Sequence, residues 1–337
     1  MEKKMGFYKR SLINYFSQLP AITYVPIVLI VIFYIFNRNF LSPMNISRLI
    51  GQSAPLIIVS LGNTIPIMGG GVDISVGALM GLSGTIVALS TNAGLSLPIA
   101  LILAIAVATI CGLISGILIG MTNLAPMVTT FGMSYIVTGI NLGITAGGSI
   151  AITSKAFNHF ARGAEFLGIP AILWVVILYI VVVDLILRAT FYGGHLYAIG
   201  VDPIGAKALG VKVNIHVVSQ YGISGFLAGV AGLVLASRLL TGNALVGAAI
   251  PFESIAAVVV GGTLLGGGEG TVFGTVMGAL IISILKSGLA LFGIYPGSMA
   301  IIIGVVLVIV VVSSQLLYTR IRRRSGKTIR KKGVDGR

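Results

Sequence analysis

Apolar runs of roughly membrane-spanning length follow one another along nearly the whole chain, and they leave few folds open to it. They cover about residues 21–36, 50–68, 74–89, 97–121, 126–146, 170–187, 214–240, 254–265, 271–292 and 296–317. A helix needs ~20 apolar residues to cross a bilayer, so most of these runs can cross, whereas 254–265 is too short. A half-length helix is tolerated at membrane depth only where its ends are buried in protein. The expected fold is therefore an all-α polytopic membrane protein with about ten transmembrane helices, some of them broken or half-length.

Charge supports this layout and orients it. Of 337 residues only 9% are charged, and 22 Lys and Arg outnumber 8 Asp and Glu. A basic chain raises the question of nucleic acid, but the position of the charge answers it differently. Lys3, Lys4, Lys9 and Arg10 precede the first apolar run, and nine basic residues from Arg320 to Arg337 follow the last. An even number of spans puts these tails on one side, together with Arg188, Lys207 and Lys212. The opposite side receives Arg38, Arg48, Lys155, Arg162 and Arg238. The positive-inside rule makes the richer side cytoplasmic. The chain thus divides into a basic cytoplasmic segment (1–19), a transmembrane domain (20–318) and a basic cytoplasmic tail (319–337). The expected location is the cytoplasmic membrane, with both termini inside, membrane lipid as surroundings and no nucleic-acid partner. The first apolar run has no small-residue cleavage site after it and reads as an anchor.

One cytoplasmic stretch carries its own helix punctuation: residues 200–213, GVDPIGAKALGVKV. Asp202 is a good N-cap, Pro203 suits the first helical position, and Gly210 supplies a left-handed stop. A helix of fewer than two turns is marginal in water, so it needs something to rest on: either its own bundle or a docked partner.

Two glycine-rich segments resemble each other, GGGVDISVGALMG at 69–81 and GGGEGTVFGTVMG at 266–278. Internal repeats with helix breaks are common in transporters, and the breaks mark the substrate path. Gly70, Asp73, Ser75, Glu253, Gly267, Glu269 and Lys286 are accordingly the candidates for path or gate. The charged ones have a plainer reading beside this one. Asp73, Glu253 and Glu269 stand at expected helix starts, where free amides and the helix dipole favour a carboxylate. Lys286, inside the 271–292 run, either snorkels to the outer interface or faces a cavity. Gly112, Gly116 and Gly120, Gly225 and Gly229, and Gly274 and Gly278 recur every four residues, a spacing that lets membrane helices approach closely; packing within one bundle is the expected use. Asp184 and Arg188, one turn apart, read as a local pair.

No catalytic constellation is found. The SGKT at 325–328 lacks the upstream glycine of a complete phosphate-binding loop, and His159, His195 and His216 have no metal-ligand or catalytic spacing. Cys111 is the sole cysteine, so no disulfide forms within the chain and no metal cluster is expected.

Three stretches carry a family resemblance. GGGVDISVG at 69–77 resembles the GGIDLSVG of permease subunits of bacterial ABC importers for simple sugars, the ribose-permease type, which also includes autoinducer-2 permeases. YAIGVDPIGAKALGVKV at 197–213 is similar to that family's cytoplasmic segment with its short alanine-containing helix. ESIAAVVVGGTLLGGGEGTVFGTVMGALI at 253–281 resembles its pattern of an acid, IAAVV, GGT, GG-x-G and GT-x-x-GAL. Asp202 stands where the family usually has Asn, Pro251 where an acid is frequent, and Lys286 where Asn is common. The resemblance implies a type II ABC importer-like permease that works as a homo- or heterodimer. It implies two cytoplasmic ATPase subunits as partners, which would hold the ATP–Mg, and an extracytoplasmic sugar-binding protein that delivers a ribose-like monosaccharide. The chain itself would hold no cofactor and no metal. By position, Val201, Asp202, Pro203, Ile204, Ala206, Lys207, Ala208, Leu209 and Gly210 would form the segment coupled to the ATPase. A stand-alone ion-coupled carrier of a small polar solute is the alternative.

Overall fold

The structure is a computed structural model that describes residues 21–305, apart from 163–164, 167–168, 296 and 300, together with residue 308. The basic segments 1–19 and 319–337, and most of the expected last span, lie outside the described residues. After a 3₁₀ turn at Ala21–Thr23 come α1 (Tyr24–Phe36), α2 (Pro43–Met68), α3 (Val76–Asn92), α4 (Leu97–Thr122) and α5 (Pro126–Thr145). A short β1 (Ser149–Ala151), α6 (Lys155–Arg162), β2 (Glu165–Phe166) and β3 (Ile169–Pro170) lead to α7 (Ala171–Ala189). Then follow α8 (Phe191–Val201), α9 (Pro203–Ala208), α10 (Val213–Leu239), β4 (Thr241–Asn243), α11 (Ile250–Val260) and α12 (Val272–Leu291).

Local chemistry accounts for most boundaries. Ser42 caps α2 by accepting from the Asn45 amide at 3.3 Å, with Pro43 in the first turn. Thr271 caps α12 through the Gly274 amide at 3.0 Å. Asn123, with φ of 56°, turns the chain between α4 and α5, and Pro126 opens α5. Among the described residues six helices are long and apolar enough to cross a membrane: α2, α4, α5, α7, α10 and α12. The first helix, α1, has only 13 residues and α3 only 17.

Burial separates centre from periphery. The apolar windows of α2 and α10 are 83% and 78% buried, against 22% for each of α4, α5 and α7. Two helices therefore form the axis, and three show most of their surface to the surroundings. Glycine sets the closeness of α10 to α4. A Cβ on Gly112 would run into the Tyr221 carbonyl, and one on Gly116 would lie 2.8 Å from the Val218 Cα. At Gly120 it would lie 2.9 Å from the Asn214 carbonyl. Gly274 and Gly278 on α12 are closed in the same way by the Gly261 and Ala257 carbonyls at and just beyond the end of α11. These stripes serve packing inside the bundle, as small residues do in membranes.

The half-helix is real, with shifted bounds. It runs from Ile250 to Val260, not from 254 to 265, and its 11 residues span about 16 Å. The chain reaches it by an unusual route. β4 pairs antiparallel with β1, Ser149 opposite Asn243, and the chain then descends beside α3. Gly242 meets Gly84, Gly81 comes within 2.9 Å (as a would-be Cβ) of the Ala244 carbonyl, and Gly247 meets Gly77. Non-helical backbone at this depth is tolerated because it is enclosed by protein, and the glycines of α3 leave room for it.

Candidate functional site

The punctuated stretch folds as its residues dictate. Asp202 Oδ1 accepts from the Ile204 amide at 3.0 Å, and Pro203 opens α9. Gly210 takes φ of +87°. Its amide donates to the Lys207 carbonyl at 3.0 Å, and the Val211 amide donates to that of Ala206 at 3.1 Å. This pair of bonds is the Schellman closure that glycine permits. Val201, Ile204 and Leu209 stand outward, 74%, 81% and 85% exposed, and Asp202, Pro203, Lys207, Ala208 and Gly210 are exposed around them. Ala206 differs from the rest of the expected coupling residues: it is buried, at 3% exposure.

The two similar glycine segments meet each other beside Gly200, at the end of α8 just ahead of this helix. The Gly268 amide donates to the Met68 carbonyl at the end of α2, at 2.9 Å. A Cβ on Gly267 would lie 2.8 Å from the Gly70 nitrogen and 2.9 Å from the Gly200 Cα. On Gly200 it would strike the Met68 carbonyl and the Gly268 amide. Gly70 and Gly267 have φ of +85° and +82°, a region glycine enters at no steric cost. Tyr197 on α8 donates to the Gly270 carbonyl at 2.7 Å. The exposed helix is thus joined through Gly200 and Val201 to the breaks that begin α3 and α12, an arrangement the repeat alone did not disclose.

The charged candidates part company. Asp73 is fully buried. Its Oδ1 accepts from the Ser75 amide at 2.9 Å and from the Ser75 hydroxyl at 2.6 Å. Its Oδ2 accepts from Ser224 on α10 at 2.7 Å. It pins the 69–75 break to the central helix and does not cap α3, whose N-cap is Ser75. Glu253 caps nothing either, and Lys286 does not snorkel. The Lys286 Nζ lies 2.8 Å from both Glu253 carboxylate oxygens, joining α12 to the first turn of α11. Glu269 is exposed in the loop before α12, and Thr271 takes the capping role expected of it.

Sequence spacing missed a second cluster beside α9. His195 Nδ1 on α8 and His216 Nε2 on α10 are 3.1 Å apart. Tyr192 stacks on His216 with centroids 5.4 Å apart, and Ser219 donates to the Tyr192 hydroxyl at 3.1 Å. The helices flanking α9 are therefore clamped together by polar contacts from residues 21 to 27 positions apart. Asp184 and Arg188 form the expected pair at 2.8 Å. Among the described residues no three His, Cys, Asp or Glu gather as a metal site.

Comparison with known proteins matches residues 45–311 to a family described as the branched-chain amino acid transport system / permease component. The ribose import permease protein RbsC of Bacillus subtilis is 36% identical over 84% of this chain and 88% of its own length. RbsC of Haemophilus influenzae is 33% identical over 87% and 92%. The galactose/methyl galactoside import permease protein MglC of Escherichia coli is 32% identical over 93% and 98%. No solved structure matches the chain.

Proposed function

Because this chain belongs to the branched-chain amino acid transport system / permease component family, we propose that it is the membrane permease subunit of an ATP-driven ABC importer for a monosaccharide. The family description names amino acids, but the relatives aligned over nearly their whole length are named for ribose and galactose, so a simple sugar is the cargo we assign. One observation carries the mechanism. A capped helix stands out with three apolar side chains in solvent, at Val201, Ile204 and Leu209, while its root is wedged against both glycine breaks. Such a projection fits a cleft on a cytoplasmic ATPase. Movement of that ATPase on nucleotide binding would reach α3 and α12 through the Gly70–Gly200–Gly267 contact and rock the bundle between two states, a switch biased by a partner.

The full assembly in this reading has two permeases, two ATPases holding the ATP–Mg and an extracytoplasmic sugar-binding protein, set in the inner membrane. About ten spans with both termini cytoplasmic accord with the charge bias. A second permease would find room on α5. Gly132, Gly139 and Gly143 have no atom of the described residues within 4 Å of a would-be Cβ, so a helix of a second subunit can come close there.

The ion-coupled carrier is the weaker reading. It needs an ionisable group free to exchange its ion, yet Lys286 and Glu253 are paired and Asp73 is sealed among hydroxyl donors. The test is uptake of labelled ribose and galactose in proteoliposomes holding the chain, its ATPase and its binding protein. Uptake should require all three and ATP. Ile204→Asp with Leu209→Asp should abolish both uptake and co-purification of the ATPase. Uptake by the chain alone, driven by a proton or sodium gradient, would sink the proposal.

A further inference from the structure

A cavity of ≈220 Å³ opens between the first turn of α3, the middle of α5 and the re-entrant segment that leads into α11. Its walls include Phe131, Ser134, Tyr135 and Thr138 of α5, Gly77 of α3 and Phe252 of α11. The four α5 residues fall at positions i, i+3, i+4 and i+7, one face of a helix. Phe131 and Tyr135 meet edge to face with centroids 4.9 Å apart, and Tyr135 and Phe252 are exposed.

The hydroxyls single this face out. Elsewhere on α5 each threonine satisfies itself on its own helix: Thr129 donates to the Ala125 carbonyl at 3.1 Å, Thr130 to Pro126 at 3.0 Å and Thr145 to Asn141 at 2.9 Å. Ser134 and Thr138 do neither this nor anything else, since no hydrogen-bond partner is found for them among the described residues. The Tyr135 hydroxyl is alike in this. Three free hydroxyls halfway along a membrane helix are costly against lipid, where nothing replaces the lost water. They are at home against a ligand that offers hydroxyls of its own.

We propose that this cavity, walled by Phe131, Ser134, Tyr135, Thr138 and Phe252, is a subsite for one neutral monosaccharide on its way through the permease. Three features define the ligand. The aromatic faces suit the apolar C–H face of a sugar ring, and the free hydroxyls suit its rim. The volume lies below the ~300–1,000 Å³ of drug-sized sites, so it takes one ring. Among the described residues no Lys, Arg, Asp or Glu lines it, so it offers no partner for the phosphate of a sugar phosphate or the carboxylate of an amino acid. The inference rests on the importer reading and adds to it a place and a specificity.

The test uses the full chain with Cys111→Ser and a single new thiol, Ser134→Cys or Thr138→Cys, labelled with a small methanethiosulfonate, with Ile136→Cys as the control outside the cavity. Ribose or galactose at ten times its half-protecting concentration should slow labelling at 134 and 138 about tenfold by mass action. It should leave 136 unchanged. Ribose 5-phosphate and leucine should not protect. In proteoliposomes with ATPase and binding protein, Ser134→Ala with Thr138→Val should lower the uptake rate roughly tenfold, at about fivefold for each lost hydrogen bond, with the ATPase still co-purifying. Full uptake by that double variant, or labelling that no sugar slows while the wild type imports, overturns the subsite and leaves the importer standing. Protection by leucine overturns the sugar assignment. A wild-type assembly that imports neither sugar overturns the importer reading, and the subsite falls with it.

Discussion

Breaking the ion pair between Lys286 and Glu253 should destabilise the bundle unequally, according to which partner is left. The Lys286 Nζ sits 2.8 Å from both carboxylate oxygens, and the two side chains are 28% and 12% exposed. Removing one member of a fully buried pair costs about 3–5 kcal/mol, because the other charge is stranded. Here the lysine is the better hydrated, and its long stem can carry a stranded ammonium toward water. Glu253→Gln should therefore cost about 1–2 kcal/mol. Lys286→Met strands the more buried carboxylate and should cost about 2–3 kcal/mol, toward the low end of the buried case. Replacing both removes the charge altogether, so the double variant should cost about 1–2 kcal/mol, giving a coupling energy of roughly 2 kcal/mol in the double-mutant cycle. At ~2 °C per kcal/mol for a chain of this size, thermal unfolding of the purified protein resolves these differences. Additive effects of the two substitutions, or Glu253→Gln costing more than Lys286→Met, would refute the reasoning.

Three further outcomes follow from the geometry around α9. Gly200→Ala drives a methyl into the Met68 carbonyl and the Gly268 amide; overpacking of this kind costs about 1–3 kcal/mol, measurable as a lowered Tm together with lost ATP-dependent uptake. Asp202→Ala removes the acceptor of the Ile204 amide and should cost about 1 kcal/mol of local stability, read as faster amide exchange over residues 203–208 with little change in Tm. Ala206→Asp buries a carboxylate at a position 3% exposed and should lower Tm, whereas Leu209→Asp, 85% exposed, should change stability by less than about 0.5 kcal/mol. Equal Tm values for those two variants would show that α9 does not rest on the bundle as described.

Much of this was legible in the residues before any fold was known. Span bounds for α4, α5, α10 and α12 agree with the apolar runs to within about two residues, because hydropathy and the Pro and Gly that interrupt it act on the nearest neighbours in the chain. The cap of α9 and its glycine stop were legible for the same reason: an N-cap and a Schellman closure each bridge only two to five residues. Where local signals are ambiguous, tertiary contacts decide. Glu253, two residues past a proline at a helix start, is sited as a cap would be, yet it bonds a lysine 33 positions away.

By itself, then, the sequence determined the membrane class, the breaks at the glycine clusters and the short capped helix. All of these follow from forces between residues adjacent in the chain or from the cost of placing charge in lipid. Only the tertiary structure decided that the two glycine breaks touch beside Gly200, that Asp73 reaches Ser224 across 151 residues, that Ala206 is buried, and that the hydroxyls of α5 line a cavity. Those outcomes depend on which helices become neighbours and how each is rotated. In helices that are apolar on nearly every side, as α3, α4 and α10 are, no amphipathic stripe records that choice; close packing through glycines more than a hundred positions apart makes it.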